Sequence, residues 1–377
     1  MPIEIFESSM LDSFYVTDHH FNLLETKITC ADKLWAISHM VNNEEILDYS
    51  LEAGANALEM DLTFDESGNP KNLYHNWFCD CLCSPDTETC MFDICEKARP
   101  VGGVLKYFMS HEKSGQVAML YMDNKLDDVP EKLVKQAAAN LVDLLEKNVL
   151  AGGYRGVILM AGANKDFLKS LADEANKSSF KRQLFVGHDH HFDFKEGMEL
   201  LADLNYPYKI ASTGMPRCAK WAVGYGDEIA LGRVNKARGV ISDTIIWTLD
   251  KHSEYDKYYN YGARGIITNN IKNLLRWAKG RGYQLYTTED AICGAAAGRE
   301  NLVTDVGHCG CEKEGAGCRI NDEVASVQGS ACKCSKQWFF SCKGDVVGCK
   351  DITSPQCLKP DQSEQSCIQG GGDCRGY

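Results

Sequence analysis

The chain has 377 residues with 44% hydrophobic content, enough for one large core or two ordinary ones, and no run of 18 apolar residues that would act as a transmembrane anchor. Its formal net charge of −13 argues against a nucleic-acid partner and against electrostatic docking on strongly anionic membranes. Eighteen cysteines exceed what a reducing compartment keeps as structural residues and point to disulfides in a secreted protein.

The first residues, Met1-Pro2-Ile3-Glu4-Ile5-Phe6-Glu7, show neither a basic nor an apolar leader pattern. The expectation is therefore a leader outside this chain or an unconventional route of export. After a segment spanning 1–32, residues 33–300 alternate short apolar runs with helical patterns. Trp35–Met40 reads as a strand with His39 near its end. Asn43–Ala53 reads as a helix, with Asn43 to cap it and Gly54 to stop it. Ala57–Phe64 reads as a second strand. Residues two apart on a strand share a face, so Glu59 and Asp61 point one way while Leu58, Met60, Leu62 and Phe64 point the other. Both acids are placed in the second half of that strand.

His75 follows, then an aromatic and cysteine-rich stretch, Asn76-Trp77-Phe78-Cys79-Asp80-Cys81-Leu82-Cys83, which reads either as a lipid-interface loop or as one whose rings pack beneath it. Ala118–Asn124 is a third strand with Asp123 at its end, and Lys125 shares the Asp123 face. Pro130–Leu150 reads as one helix started by proline. Strands at Gly156–Ala161, Gln183–His188 and Tyr208–Ser212 follow, with a helix at Asp193–Leu204. Thr244–Asp250 carries Trp247 and Asp250 toward its end, Gly265–Asn269 ends on Asn269, and Ile271–Gly280 is a last helix. Eight such repeats predict a (β/α)8 TIM barrel. The competing open, doubly wound sheet is weakened because no glycine-rich phosphate loop follows the first strand.

Beyond residue 300 the composition changes. Residues 1–300 hold eight cysteines and 301–377 hold ten. That tail is poor in apolar periodicity and needs disulfides to hold it. Zinc is the weaker reading, since the tail offers only His308 as an imidazole and no paired C-x2-C spacing.

In a barrel, catalytic groups gather at the C-terminal ends of the strands. Glu59, Asp61 and Asp123 form an all-oxygen set, which suits Mg2+ or Ca2+ better than zinc. His39 and His75 bracket the acidic strand, and imidazole can either activate a nucleophile at a phosphodiester or protonate its leaving oxygen. Lys125 can clamp a phosphate oxygen, and Asp80 can orient an imidazole.

Several segments together resemble the glycerophosphodiester phosphodiesterase superfamily, and within it the arachnid sphingomyelinase D/phospholipase D dermonecrotic toxins. They are His39-Met40-Val41-Asn42, Gly54-Ala55-Asn56-Ala57-Leu58-Glu59-Met60-Asp61, Asn69-Pro70, Tyr74-His75 with Cys79-Asp80-Cys81, Gly187-His188-Asp189, Trp247-Thr248-Leu249-Asp250 and Gly265-Ile266-Ile267-Thr268-Asn269. The resemblance spans about 33–290. It implies one Mg2+ held by Glu59, Asp61 and Asp123. It implies His39 and His75 as the catalytic pair, with Asp80, Lys125, Trp247 and Asn269 in support. It also implies a Cys81–Cys218 disulfide, with Cys79 paired inside its own loop to Cys83, Cys90 or Cys95.

The implied reaction releases choline from sphingomyelin or lysophosphatidylcholine at a membrane or lipoprotein surface. A lipid hydroxyl closes onto phosphorus to give a cyclic phosphate, and the enzyme is expected to be a secreted monomer. Three features depart from the family pattern. Ile245 and Ile246 replace the aromatics that usually precede the tryptophan. Thr287-Thr288-Glu289-Asp290-Ala291 and Cys293 replace an acidic-aromatic segment. The tail has no counterpart in the spider members, which points to a tick or mite lineage. The alternatives are a phosphodiesterase acting on soluble glycerophosphodiesters and a non-enzymatic secreted binder that uses the tail.

Overall fold

The computed structural model describes residues 33–75, 97–190, 193–216 and 225–291, with six two-residue strands between 319 and 358. The expectations at Cys79, Asp80, Cys81 and Cys218, and for residues 1–32, lie outside the described residues.

Eight parallel strands close into a barrel: β1 (Trp35–Ser38), β2 (Ala57–Phe64), β5 (Met119–Lys125), β6 (Val157–Gly162), β7 (Leu184–Asp189), β8 (Lys209–Gly214), β9 (Asp243–Trp247) and β10 (Gly265–Thr268). Each pairs with the next, and β1 pairs with both β2 and β10 to seal the ring. Two short antiparallel strands, β3 (Pro70–Leu73) and β4 (Arg99–Pro100), extend the sheet from β2. The period-two pattern did not announce them because they carry little apolar alternation. Helices α1 (Glu44–Ala53), α2 (Val101–Ser110), α3 (Val134–Leu145), α4 (Lys165–Lys177), α5 (Phe194–Asp203), α6 (Gly226–Ala237), α7 (His252–Tyr261) and α8 (Ile271–Arg281) follow the strands. Among the described residues, no helix is long and apolar enough to cross a membrane. In the tail, three antiparallel strand pairs join Arg319–Ile320 to Glu323–Val324, Lys333–Cys334 to Phe340–Ser341, and Gly348–Cys349 to Cys357–Leu358.

Alternation along each strand divides the apolar residues into two layers. Ile37, Ala57, Tyr121, Leu159, Phe185 and Ile245 fill the barrel. Leu58, Met60, Leu62, Phe64 and Ile246 face the helices. The apolar half of the acidic strand therefore belongs to the outer core, and its carboxylates point into the barrel, as the alternation predicts.

Local chemistry sets the ends of the elements. Asn43 accepts a hydrogen bond from the Ile46 N–H at 2.9 Å and caps α1, while Gly54, at φ 96°, closes it in the left-handed conformation. The segment 130–150 is not one helix. A 3-10 turn (Glu131–Leu133) precedes α3, and a π turn (Glu146–Leu150) follows it. The wider turn keeps Val149 and Leu150 buried as the chain leaves the helix.

Strand β1 ends at Ser38 rather than Met40, because Met40 adopts φ 57°, outside the strand region. Strand β2 does the opposite and outruns the barrel. Its first residues, Ala57 and Leu58, already lie beside the last residues of β1, Ile37 and Ser38. Glu59 is therefore third of eight in the strand, not in its second half, and still sits at the rim. Above it β3 takes over the edge, pairing with Leu62, Thr63 and Phe64.

The seam of the ring is tied by Asn56. Its side chain accepts from the Ala36 N–H at 2.8 Å and donates to the carbonyls of Leu34 and Tyr286 at 3.1 and 2.9 Å. Removing that amide takes the side-chain partner from three buried backbone groups on two segments. Asn56→Ala should lower unfolding stability by roughly 3 kcal/mol, read as a lower urea midpoint at unchanged slope.

Candidate active site

The register of β2 against β5 places Asp61 directly opposite Asp123, Glu59 opposite Tyr121, and Thr63 opposite Lys125. Glu59 and Asp61 are buried, and the three carboxylates each offer an oxygen, all within 4.8 Å of one another. His39 follows β1 directly. His75 arrives on the return of the β2–β3 hairpin, where the Tyr74 N–H donates to the Asp61 carbonyl at 2.8 Å. The two imidazole centroids are 6.0 Å apart at an interplanar angle of 86°. His39 Nε2 lies 3.9 Å from Glu59 Oε2, and His75 Nε2 lies 3.8 Å from Asp61 Oδ1. All of them except Asp61 line one pocket of about 270 Å3, together with Tyr121, Lys125, Asp189, Pro216, Trp247, Thr248 and Ile267.

Glu59, Asp61 and His39 are each held by a neighbour. The Met40 N–H, aimed by that residue's positive φ, donates to Glu59 Oε2 at 2.7 Å. Asn42 grips Asp61 twice: its Nδ2 donates to Oδ2 at 2.8 Å, and its Oδ1 accepts the Asp61 N–H at 2.9 Å. His39 Nδ1 lies 2.7 Å from Asn269 Oδ1. Asp250 in turn accepts the Asn269 N–H at 2.9 Å and faces its Nδ2 at 3.5 Å. A carboxylate beside the amide nitrogen turns the amide oxygen toward His39, so Nδ1 carries the proton and Nε2 is the basic nitrogen.

The electrostatics call for a cation. Burial pushes the Glu59 carboxyl well above its usual range, and the charges of Asp61 and Asp123 push it the same way. Burial also works against the Asp61 carboxylate, but His75, Lys125 and His39 together outweigh it and hold Asp61 below its usual range. Burial works against the Lys125 ammonium as well. Asp123 and Asp61 more than compensate, so the lysine stays charged; its Nζ bonds Asp123 and stands 3.3 Å from Asp61 Oδ1. Burial lowers His75, against the pull of Asp61.

Asp61 Oδ1 is buried and accepts no hydrogen bond among the described residues. Oxygens bound to a hard cation lie about 2.0–2.6 Å from it, so this set can share one ion. An orphaned oxygen, a crowded hard donor set and a carboxyl starved of positive charge all fit a divalent metal held by Glu59, Asp61 and Asp123.

Of the site residues expected from sequence, His39, His75, Glu59, Asp61, Asp123, Lys125, Trp247 and Asn269 meet here; Asp80 lies outside the described residues. Sequence reasoning assigned no role to Asp189 or Asn42, although both stand in segments that carry the resemblance, and it passed over Tyr121 and the hold of Asp250 on Asn269. Asp189 ends β7 and accepts from the Tyr121 hydroxyl and from Trp247 Nε1, the latter at 2.7 Å. Burial, then the charge of Asp123, pushes its carboxyl up to about 6. The available signal was alternation: Asp189 is two residues beyond Gly187 and four beyond the inward-facing Phe185.

Because Glu59 titrates high without a cation, protons and metal compete for it. Divalent-cation affinity should weaken as pH falls through the raised Glu59 range, and binding within that range should release protons. Calorimetry in buffers of differing ionisation enthalpy measures both, and Asp61→Asn should abolish binding.

The model of the family Dermonecrotic toxin SPH matches residues 31–288. A dermonecrotic toxin of Loxosceles spinulosa is 26% identical over 250 residues, 62% of this chain and 88% of its own length. Another, from Loxosceles rufescens, is 29% identical over 257 residues, with 62% and 88% covered. A solved structure from Silicibacter pomeroyi DSS-3, described as a glycerophosphoryl diester phosphodiesterase, superposes with TM-score 0.50 over 68% of this chain and 96% of that one. At 12% identity that likeness speaks for the shared barrel fold alone. The family match covers the whole described barrel together with the rim where the histidines and carboxylates meet, and the chain belongs to the dermonecrotic toxin family.

Proposed function

We propose that this protein is a secreted, Mg2+-dependent phospholipase D-type lyase that releases choline from sphingomyelin or lysophosphatidylcholine and leaves a cyclic phosphate. The observation that carries the reading is two imidazoles 6.0 Å apart beside three converging carboxylates, two of which line the same pocket as both imidazoles. An all-oxygen set with few carboxylates suits Mg2+, which keeps room for phosphate oxygens. Held by Glu59, Asp61 and Asp123, the ion would supply Lewis-acid neutralisation of the phosphate charge.

The protein's own groups move the protons. His39 Nε2, made basic by the Asn269 contact on Nδ1, takes the proton from the lipid's own hydroxyl, whose oxygen bonds to phosphorus. The phosphorus–oxygen bond to choline breaks, and His75 gives its proton to the departing oxygen. The net proton transfer runs from lipid hydroxyl to choline, so no water is consumed. We assign Asp80 to orienting His75. Lys125 steadies the phosphate side of the pocket, and Trp247 the head-group side. The tail beyond 300, with its dense cysteines, is an accessory unit that marks a lineage apart from the spider toxins, and the enzyme acts as a monomer on lipid surfaces.

Choline release from sphingomyelin should stop in EDTA and return with Mg2+. His39→Ala and His75→Ala should each lower kcat by about 10²–10⁴-fold with little change in KM. Mass spectrometry should find a first lipid product one water lighter than the open phosphate. Undiminished activity in EDTA, an open-chain first product, or a strong preference for glycerophosphocholine over intact lipid would each overturn the reading. Asn269→Ala, which frees the His39 tautomer, should lower kcat by about 10–100-fold, the usual scale for a lost orienting contact.

A further inference from the structure

The proposed reaction leaves the half-buried Asp189 carboxylate without a role, although it lines the same pocket. Among the described residues, Asp189 is the one carboxylate lining that pocket outside the metal set. A substrate whose phosphate sits at the carboxylate–histidine cluster carries its cationic head group a few bonds away, and Asp189 is the remaining charge complement.

The carboxylate is clamped from two sides. Tyr121 on β5 reaches past β6 to donate its hydroxyl to Asp189 Oδ2. Trp247 on β9 reaches past β8 to donate Nε1 to Oδ1 at 2.7 Å. Both oxygens thus already hold a donor. What remains is negative charge beside two aromatic side chains, with one acceptor position on each oxygen already taken and about half of the carboxylate's hydrogen-bonding capacity left for an entering donor.

We propose that Tyr121 is the head-group filter of this pocket: by capping Asp189 it favours a quaternary ammonium over a primary one. The inference rests on the lipid-cleaving function proposed above. A trimethylammonium group donates no hydrogen bonds and is stabilised by nearby charge and by aromatic faces. A primary ammonium brings three N–H donors that lose water on entry and need acceptors. With Tyr121 and Trp247 occupying Asp189, those donors go short. The ring that does this sits on β5, while the inward position two residues before Trp247 holds the aliphatic Ile245, so the phenol hydroxyl on this carboxylate comes from across the barrel.

The test compares kcat/KM for sphingomyelin and for ceramide phosphoethanolamine in the same mixed micelles. The wild-type protein should favour the choline lipid by roughly tenfold or more, the scale of one unmet hydrogen bond. Tyr121→Phe keeps the ring and returns an acceptor to Asp189, so the ratio should fall toward one or invert. Tetramethylammonium and methylammonium, used as competing inhibitors, give a second readout and should shift in the same direction. A wild-type protein that cleaves both lipids equally or prefers ethanolamine overturns the inference alone, as does a Tyr121→Phe protein with both ratios unchanged. A protein that cleaves neither lipid overturns the function, and this inference with it.

Discussion

Asp61 on β2 lies across from Asp123 on β5, and Glu59 shares their face. Like charges placed opposite each other on paired strands repel, and here two of the three are buried. His75 and Lys125 answer that repulsion at Asp61, yet burial first, and then the charges of Asp61 and Asp123, hold Glu59 far above its usual range. The shortage of positive charge is the constraint around which the barrel mouth is arranged. A divalent ion removes it and turns an unfavourable cluster into a site for a phosphate. Without an ion, the same geometry favours protonation of Glu59.

The supports of the site are spread over the fold. Met40 bends into a positive φ and offers its N–H to Glu59. Asn42 holds both the side chain and the backbone of Asp61. Asp250, from the end of β9, positions Asn269, from the end of β10, and Asn269 sets the His39 tautomer. Glu59, Asp61 and His39 are thus each positioned by a residue that reaches it from another strand or turn. Such preorganisation keeps the reacting atoms from relaxing as charge moves.

Much of the fold was legible because parallel barrel strands are buried on both faces and stand out as apolar runs. All eight barrel strands lie close to the expected positions. The differences came from positions where one contact overrides the pattern. Met40 leaves the strand to serve Glu59, α3 is flanked by a 3-10 turn and a π turn that buries Val149 and Leu150, and β3 and β4 add to the sheet with little alternation to mark them. Within the site, the metal carboxylates and the histidines were readable from chemistry and spacing. The clamp of Tyr121 on Asp189 was not, because nothing along the chain shows that residues 68 positions apart share a hydrogen bond.

By itself, the sequence determined which side chains share a face: strand alternation sends Glu59 with Asp61, and Asp123 with Lys125, toward one side. It also determined the hard-oxygen character of the cation site, since the ionisable ligands on that face are carboxylates and neither strand carries a cysteine or a histidine. Only the tertiary structure decided the pairing across strands. Register is a property of two segments at once, and it is the register of β2 on β5 that brings Asp61 to Asp123 and turns two strand faces into one pocket. The closure of the ring then decided that Asp189 and Trp247, on other strands, would face that pocket too.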